Sequence, residues 1–121
     1  MGVTQIIGAT GEKAAEDWLA EEGFEIVARN WRSGRYELDI VARRGESIHF
    51  VEVKTRDAGG LTSPEEAMTA AKQRSFRLAV QAWLAQNPSD LEPQMDLIAV
   101  DNTADGKPLV RYIPHAVISR W

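Results

Sequence analysis

Glu37, Asp39, Glu52 and Lys54 interrupt the stretch ELDIVARRGESIHFVEVKTR, residues 37–56, which otherwise reads as two apolar strands joined by a turn. Taking an ionised group out of water costs free energy unless a partner compensates, so charges in such a pattern demand a reason. Strand side chains alternate between faces; Glu37 therefore shares a face with Asp39, and Glu52 with Lys54. A two-residue loop of Arg44 and Gly45, with Gly45 tolerating the positive φ of a hairpin turn, would set Arg43 opposite Glu46. Glu37 then faces Glu52, Asp39 faces Phe50, and Lys54 lies one pair beyond. Three carboxylates and an ammonium converge on one face, with opposed Cβ atoms ~4.5–5.5 Å apart. Like charges directly opposed destabilise a sheet, whereas a divalent cation such as Mg²⁺ or Mn²⁺ takes carboxylates, water and phosphate oxygens as ligands. The simpler alternative is a solvated face on which Lys54 neutralises Glu52. Ile48 and Phe50 on that same face argue for a partly covered cleft, because the opposite face, Leu38, Ile40, Val51 and Val53, is already apolar.

The elements that must hold these residues follow from pattern and punctuation. GATGEKAAEDWLAEEG predicts a helix with Thr10 as cap, Ala15, Trp18 and Leu19 as its apolar stripe and Gly23 as its stop. FEIVARN alternates as a strand, Asn30 to Gly34 form a loop, and Tyr36–Arg43 and Ser47–Thr55 are the two charged strands. Ser63, Pro64 and Glu66 form a helix-start signal, so a second helix is expected from about Pro64 to Gln86. On it Met68, Ala71, Lys72, Ser75, Phe76, Leu78, Ala79, Ala82 and Trp83 share one side, with Gln73, Arg74, Arg77 and Gln81 opposite. Lys72 either snorkels past its apolar neighbours or reaches for the acids or a phosphate. MDLIAVD and LVRYIPHAV are the last strands, the latter at a sheet edge because Pro114 interrupts it. The order is helix, three strands, helix, two strands, which predicts an α/β fold with a mixed sheet of about five strands flanked by helices on both faces. The long connection after Thr55 suits a crossover to a parallel neighbour.

Composition narrows the chemistry. The chain has 121 residues and is 44% hydrophobic, which suits one core and so a single domain over 1–121. Cysteine is absent and the two histidines are His49 and His115, so thiolate catalysis and Cys-rich zinc sites are excluded and a metal would be held mainly by oxygen. The formal net charge is −4, but the basic residues concentrate in 29–56 and 72–77, which allows one basic face on an acidic protein. No apolar run approaches the ~20 residues of a membrane span, and the start lacks a signal-like basic and apolar segment. A cytoplasmic location without membrane attachment is expected.

An acid on a first helix, an Asp on one strand and Glu-x-Lys on the next resembles the PD-(D/E)xK, restriction-endonuclease-like nucleases. The longer match is more specific. GEKAAEDWLAEEGFEIVARNWR, ELDIVA, FVEVKTR, SPEEAMTAAKQRSFRLAVQAWL and MDLIAV occur in the order and spacing of the YraN-like family of small bacterial proteins, related to archaeal Holliday-junction resolvases. That resemblance implies acids at Glu12, Glu37, Asp39 and Glu52 and lysines at Lys54 and Lys72. It selects Glu12 over Glu16 as the helical acid. One departure is Tyr36, where the family usually has Gly; a phenol there would narrow access or stack on a base.

What the resemblance implies is a Mg²⁺- or Mn²⁺-dependent endonuclease acting on DNA, branched or single-stranded forms included. Asp39, Glu52 and the Val53 carbonyl would hold the metal, Glu12 or Glu37 acting through water. Lys54 would orient the attacking water or stabilise developing charge. Lys72, with Arg56 and Arg74, would engage phosphates without reading sequence. Trp31 would either stack on a base or be buried. A homodimer would suit a branched substrate with two symmetric sites. Two other classes are expected to behave differently. A nucleic-acid-binding module that does not cut would bind without metal, and an adaptor using its acidic face would bind no nucleic acid even at low salt.

Overall fold

The computed structural model describes residues 3–57, 68–103 and 105–116, with backbone alone for 3–10. In chain order the elements are α1 (Val3–Glu21), β1 (Glu25–Ser33), β2 (Tyr36–Arg44), β3 (Ser47–Asp57), α2 (Ala70–Gln86), β4 (Glu92–Asn102) and β5 (Pro108–Ile113). The strands form a single sheet in the order β1-β2-β3-β4-β5. All pairs are antiparallel except β3–β4, which is parallel and joined by the connection that carries α2. The fold is the expected α/β one, a five-stranded mixed sheet with helices on both faces, as in restriction endonucleases. No helix among the described residues is long and apolar enough to cross a membrane.

β4 is covered on both sides, which is why MDLIAV reads as a continuous buried run instead of an alternating one. On one face Ala15 and Leu19 of α1 pack with Phe24 on Ile40, Ala42, Val51, Ile98 and Val100. On the other, Phe76, Ala79, Val80 and Trp83 of α2 pack on Leu38, Val41, Ile48, Phe50, Met95 and Leu97. Leu38 was expected beside Ile40 but packs with Val41 on the α2 side, so the alternation of β2 breaks around Asp39.

α1 stops where Gly23 was expected to stop it. Gly23 takes φ 88, its N–H donates to the Ala20 carbonyl, and Phe24 N–H donates to the Leu19 carbonyl. This pair of hydrogen bonds is a Schellman closure, and Phe24 and Leu19 make the apolar contact that accompanies it. The start differs: the helix already runs from Val3, so Thr10 lies inside it and is not its cap. β1 also extends beyond expectation, since residues 30–33 continue the strand and the turn to β2 is at Gly34 and Arg35.

The central hairpin is slipped by two residues from the expected register. Arg44 pairs with Ser47 and Ile40 with Val51, so the loop is Gly45 and Glu46, with Gly45 at φ 61. A positive φ at the first loop residue alone is the type II′ pattern, whose twist matches the strands. Val41 therefore faces Phe50, which had been assigned to Asp39. A slip of two preserves which face each side chain occupies and changes only its partner.

The second helix begins later than the Ser63-Pro64 signal indicated. Thr69 is its N-cap, with extended backbone and its hydroxyl accepting from Lys72 N–H at 3.3 Å, and Met68 precedes it as a buried, non-helical residue. Ser63, Pro64 and Glu66 lie outside the described residues.

Candidate active site

The β2–β3 ladder ends at Ile40↔Val51, although β2 continues back to Tyr36 and β3 forward to Asp57. Beyond that point β3 stays paired to β4 along its other edge, so β2 and β3 open into a fork. Asp39 stands in the fork. Its Oδ2 accepts the Val53 N–H at 2.8 Å, a bond that a neighbouring strand would otherwise make. Because a strand residue turns its N–H and C=O to the same edge, the Val53 carbonyl also opens toward the fork.

Glu52 is the residue before Val53, and its carboxylate shares a hydrogen bond with Asp39. Burial raises the Glu52 carboxyl, Asp39 raises it further, and Lys54 pulls it back only in part; the group is pushed up to about 7. Burial also raises Asp39, with Glu37 adding and the Val53 N–H and Lys54 opposing. Lys54 Nζ is 3.6 Å from Glu52 Oε1, both side chains about three-quarters covered. Two largely covered carboxyls, with one ammonium beside them, resist ionising together.

Around these groups lies a cleft of about 940 Å³ between the sheet and α2. Asp39, Glu52 and Lys54 line one wall, and Lys72, Arg74, Ser75 and Phe76 line the other. Lys72 and Arg74 are exposed, so Lys72 leaves the apolar stripe and faces the cleft. Arg35 and Tyr36 form the rim, the guanidinium 5.7 Å from the ring centroid.

The remaining candidates are placed differently. Glu37 lines the cleft mouth but is mostly exposed and pairs with Arg32 at 3.5 Å; it does not face Glu52. Glu12 projects from α1, its carboxyl raised first by burial and then by Asp39, while a hydrogen bond from Asn30 opposes both. Arg56 is bonded to Asp101 at 2.7 Å and is not part of the cleft lining. Trp31 stands edge-on to Trp83 with ring centroids 5.4 Å apart, in the core beneath α2. Its ring is thus used in packing. Among the described residues no three Asp, Glu or His side chains close around a point that could hold an ion. The hard oxygens here fit Mg²⁺ or Mn²⁺ in the open manner, two carboxylates and a carbonyl with the rest of the shell left to water and phosphate.

The sequence matches the family model for the uncharacterised protein family UPF0102 over residues 11–100. The chain belongs to this family. A UPF0102 protein of Beutenbergia cavernae is 42% identical over 114 residues, covering 93% of this chain and 97% of that one. One from Nocardia farcinica is 38% identical over 114 residues, with 93% and 90% covered. A third, from Oleidesulfovibrio alaskensis, is 47% identical over 98 residues, or 80% of this chain and 48% of its own. UPF0102 is the YraN-like family that the motifs indicated, and the matched segment contains Glu12, Asp39, Glu52, Lys54 and Lys72.

Beyond the UPF0102 match, β5 adds a polar cluster that sequence reasoning missed. Asp96, fully buried on β4, accepts from His49 Nδ1 at 2.6 Å, Tyr112 Oη at 2.5 Å and His115 N–H at 3.0 Å. Burial works against its charge, but the bonds from His49, Tyr112 and His115 outweigh it and hold the carboxyl below its ordinary value. Burial, and after it the bond to Asp96 and the charge of that carboxylate, raises the Tyr112 phenol. This cluster pins β5 to the sheet. A polar residue opening the apolar run MDLIAV was the available signal.

Proposed function

We propose that this protein is a divalent-cation-dependent phosphodiesterase acting on DNA. The observation that carries the reading is the Asp39–Glu52 pair in the β2–β3 fork, with Glu52 pushed up to about 7 and Lys54 at 3.6 Å, facing basic side chains across a cleft. Mg²⁺ or Mn²⁺ held by Asp39, Glu52 and the Val53 carbonyl would supply a Lewis acid and lower the pKa of its water. Asp39 is kept in place at the fork by the Val53 N–H, which occupies Oδ2 and leaves Oδ1 as the oxygen to offer a cation. A positive charge that offsets Asp39 favours the ionised form of Glu52, which couples its ionisation to cation binding. Lys54 is positioned to donate to the attacking water or to a phosphoryl oxygen as negative charge grows. Lys72 and Arg74, on the opposite wall, hold flanking phosphates, and such contacts position a strand without reading its bases.

The test is cleavage of end-labelled duplex, single-stranded, flap and four-way DNA with Mg²⁺, Mn²⁺ or chelator. Cutting that needs the cation and drops by at least ~10²-fold in Asp39→Asn and Glu52→Gln is the expected outcome. DNA binding without any cutting would turn the reading into a binding module, and absence of both would end it.

A further inference from the structure

The acids of the fork and the cations of α2 suit a metal-bound phosphate, but they are not the whole lining of the cleft. Tyr36, Ala71, Phe76 and Leu78 also border it, so carbon surface lies beside the charges. Ala71, Ser75 and Leu78 recur every three or four residues and so share one flank of α2. Ala71 is exposed and Leu78 half-buried, so the core leaves this flank partly uncovered. Tyr36 meets the same space from the β1–β2 hairpin, where it pairs with Ser33 and closes the turn of Gly34 and Arg35. The hairpin is tied to the far end of α2, the Ser33 hydroxyl accepting from Gln86 Nε2 at 3.0 Å. The Tyr36 ring packs against the core yet stays half-buried, which fixes it without hiding it.

The cations around this surface are also open. Among the described residues Arg29, Arg32, Arg43 and Arg56 each have a carboxylate partner, whereas no ion pair engages Arg35, Lys72 or Arg74. Arg35 instead stands over the Tyr36 ring, 5.7 Å from its centroid. A phosphodiester backbone matches the cations but has no use for an aromatic ring or an apolar helix flank. A nucleobase does, because every base has a flat face that stacks on an aromatic side chain. In a duplex those faces are taken by neighbouring pairs, so a base reaches the ring only where it is unpaired or turned out of the stack. At about 940 Å³ the cleft falls within the roughly 300–1,000 Å³ of sites that enclose a small organic group.

We propose that the cleft holds an unpaired nucleotide, its base stacked on Tyr36 beside the Ala71–Leu78 flank and its phosphates against Lys72 and Arg74, so that the substrate class is single-stranded DNA. The inference rests on the phosphodiesterase reading and names its substrate class. Tyr36 is the specificity-determining residue, and the exposed Arg35 beside it is free to close over the second face of the base.

Anisotropy on the full chain carrying Asp39→Asn, which is expected to slow cutting, compares three labelled probes with Mn²⁺ present. They are an oligothymidylate, a strand of the same length built of abasic nucleotides, and a duplex of that length. The abasic strand keeps the phosphates and removes the bases. Oligothymidylate should bind more tightly than both, by about tenfold over the abasic strand. Adding Tyr36→Leu should remove that preference and leave the salt slope unchanged, since no phosphate contact is lost, while Tyr36→Phe retains it. Equal affinity for oligothymidylate and the abasic strand overturns the base subsite, a result that needs no variant of Tyr36 to fold. An unaltered preference in Tyr36→Leu overturns it too, and duplex bound as tightly as single strand overturns the substrate class. Each of these leaves the phosphodiesterase reading to the cleavage test, which cutting of duplex alone would satisfy. No binding of any probe overturns the subsite. Absence of cation-dependent cutting with the base preference intact ends the phosphodiesterase reading and supports the subsite.

Discussion

At Glu52 the needs of folding and of cation binding conflict. Its carboxyl is raised to about 7 by burial and by Asp39, from an ordinary 4.5. A carboxyl raised in the folded state contributes stability that is complete below its unfolded value and is lost as pH rises through its folded one. Without a divalent cation, wild-type Tm should therefore fall between about pH 5 and about pH 8, and Glu52→Gln should flatten that fall. At about pH 8 the variant should melt some 3–8 °C above wild type, as removal of a group worth ~1 kcal/mol or more implies. Adding Mn²⁺ should raise Tm in wild type and much less in the variant, because a ligand stabilises only the state that binds it. Scanning calorimetry across pH reads all three, and a Glu52→Gln protein less stable than wild type at about pH 8 contradicts the account.

How close the elements approach decides whether Glu12 reaches the fork. α1 crosses β3 at Gly11, where a Cβ would overlap the Thr55 hydroxyl. Alanine is otherwise the better helix former by about 1 kcal/mol, so close approach to the sheet is the physical demand for glycine here. Gly11→Ala should cost about 1–3 kcal/mol, since neither a helix nor a β-branched residue on a strand yields easily. Gly11→Ala/Thr55→Ala should recover most of the loss by removing the opposing atoms. Denaturant titration of the single and double variants measures the recovery; additive losses would place the strain elsewhere. On the opposite face, the Thr69 cap starts α2 so that Lys72 and Arg74 emerge over the cleft while Phe76, Val80 and Trp83 enter the core.

For the whole molecule the decisive quantity is where charge lies, not its total. The formal net charge is −4, yet Arg35, Lys54, Lys72 and Arg74 all border the cleft. An acidic protein with a local basic rim should bind DNA weakly, through few phosphates. Removing one cation that neutralises a phosphate lowers the slope of log affinity against log salt by about 0.7–0.9, depending on whether the strand is single or double. Lys72→Ala/Arg74→Ala should thus reduce the slope by roughly 1.4 to 1.8 and weaken binding similarly for unrelated sequences. Anisotropy titrations at several salt concentrations test this, and an unchanged slope would remove α2 from the nucleic-acid surface.

Local pattern was enough to establish that Glu52 shares a face with Lys54 and where α1 ends, although Leu38 and Ile40 part to opposite faces around Asp39. Those features follow from the periods of strand and helix and from a glycine free to take positive φ, all local to the chain. The family, too, was legible, because GEKAAEDW, FVEVKTR and MDLIAV keep their spacing whatever the exact pairing. Partnership between elements was settled by tertiary packing instead. A hairpin slipped by two leaves every face intact, so the pattern of Ile40, Val51 and Val53 could not distinguish Glu37 from Asp39 as the neighbour of Glu52. The fork needs β3 held by β4 after β2 departs, a condition imposed by residues far along the chain from Asp39. Likewise the continuous helix expected through Met68 and Thr69 is interrupted there, Thr69 capping α2 so that Phe76 and Trp83 meet the sheet. Asn30, read as the start of a loop, stays within β1 because Trp31 is anchored against Trp83 and Leu38. Asp96 gains its partners from β3, β5 and the turn after it, bonds that no local period encodes.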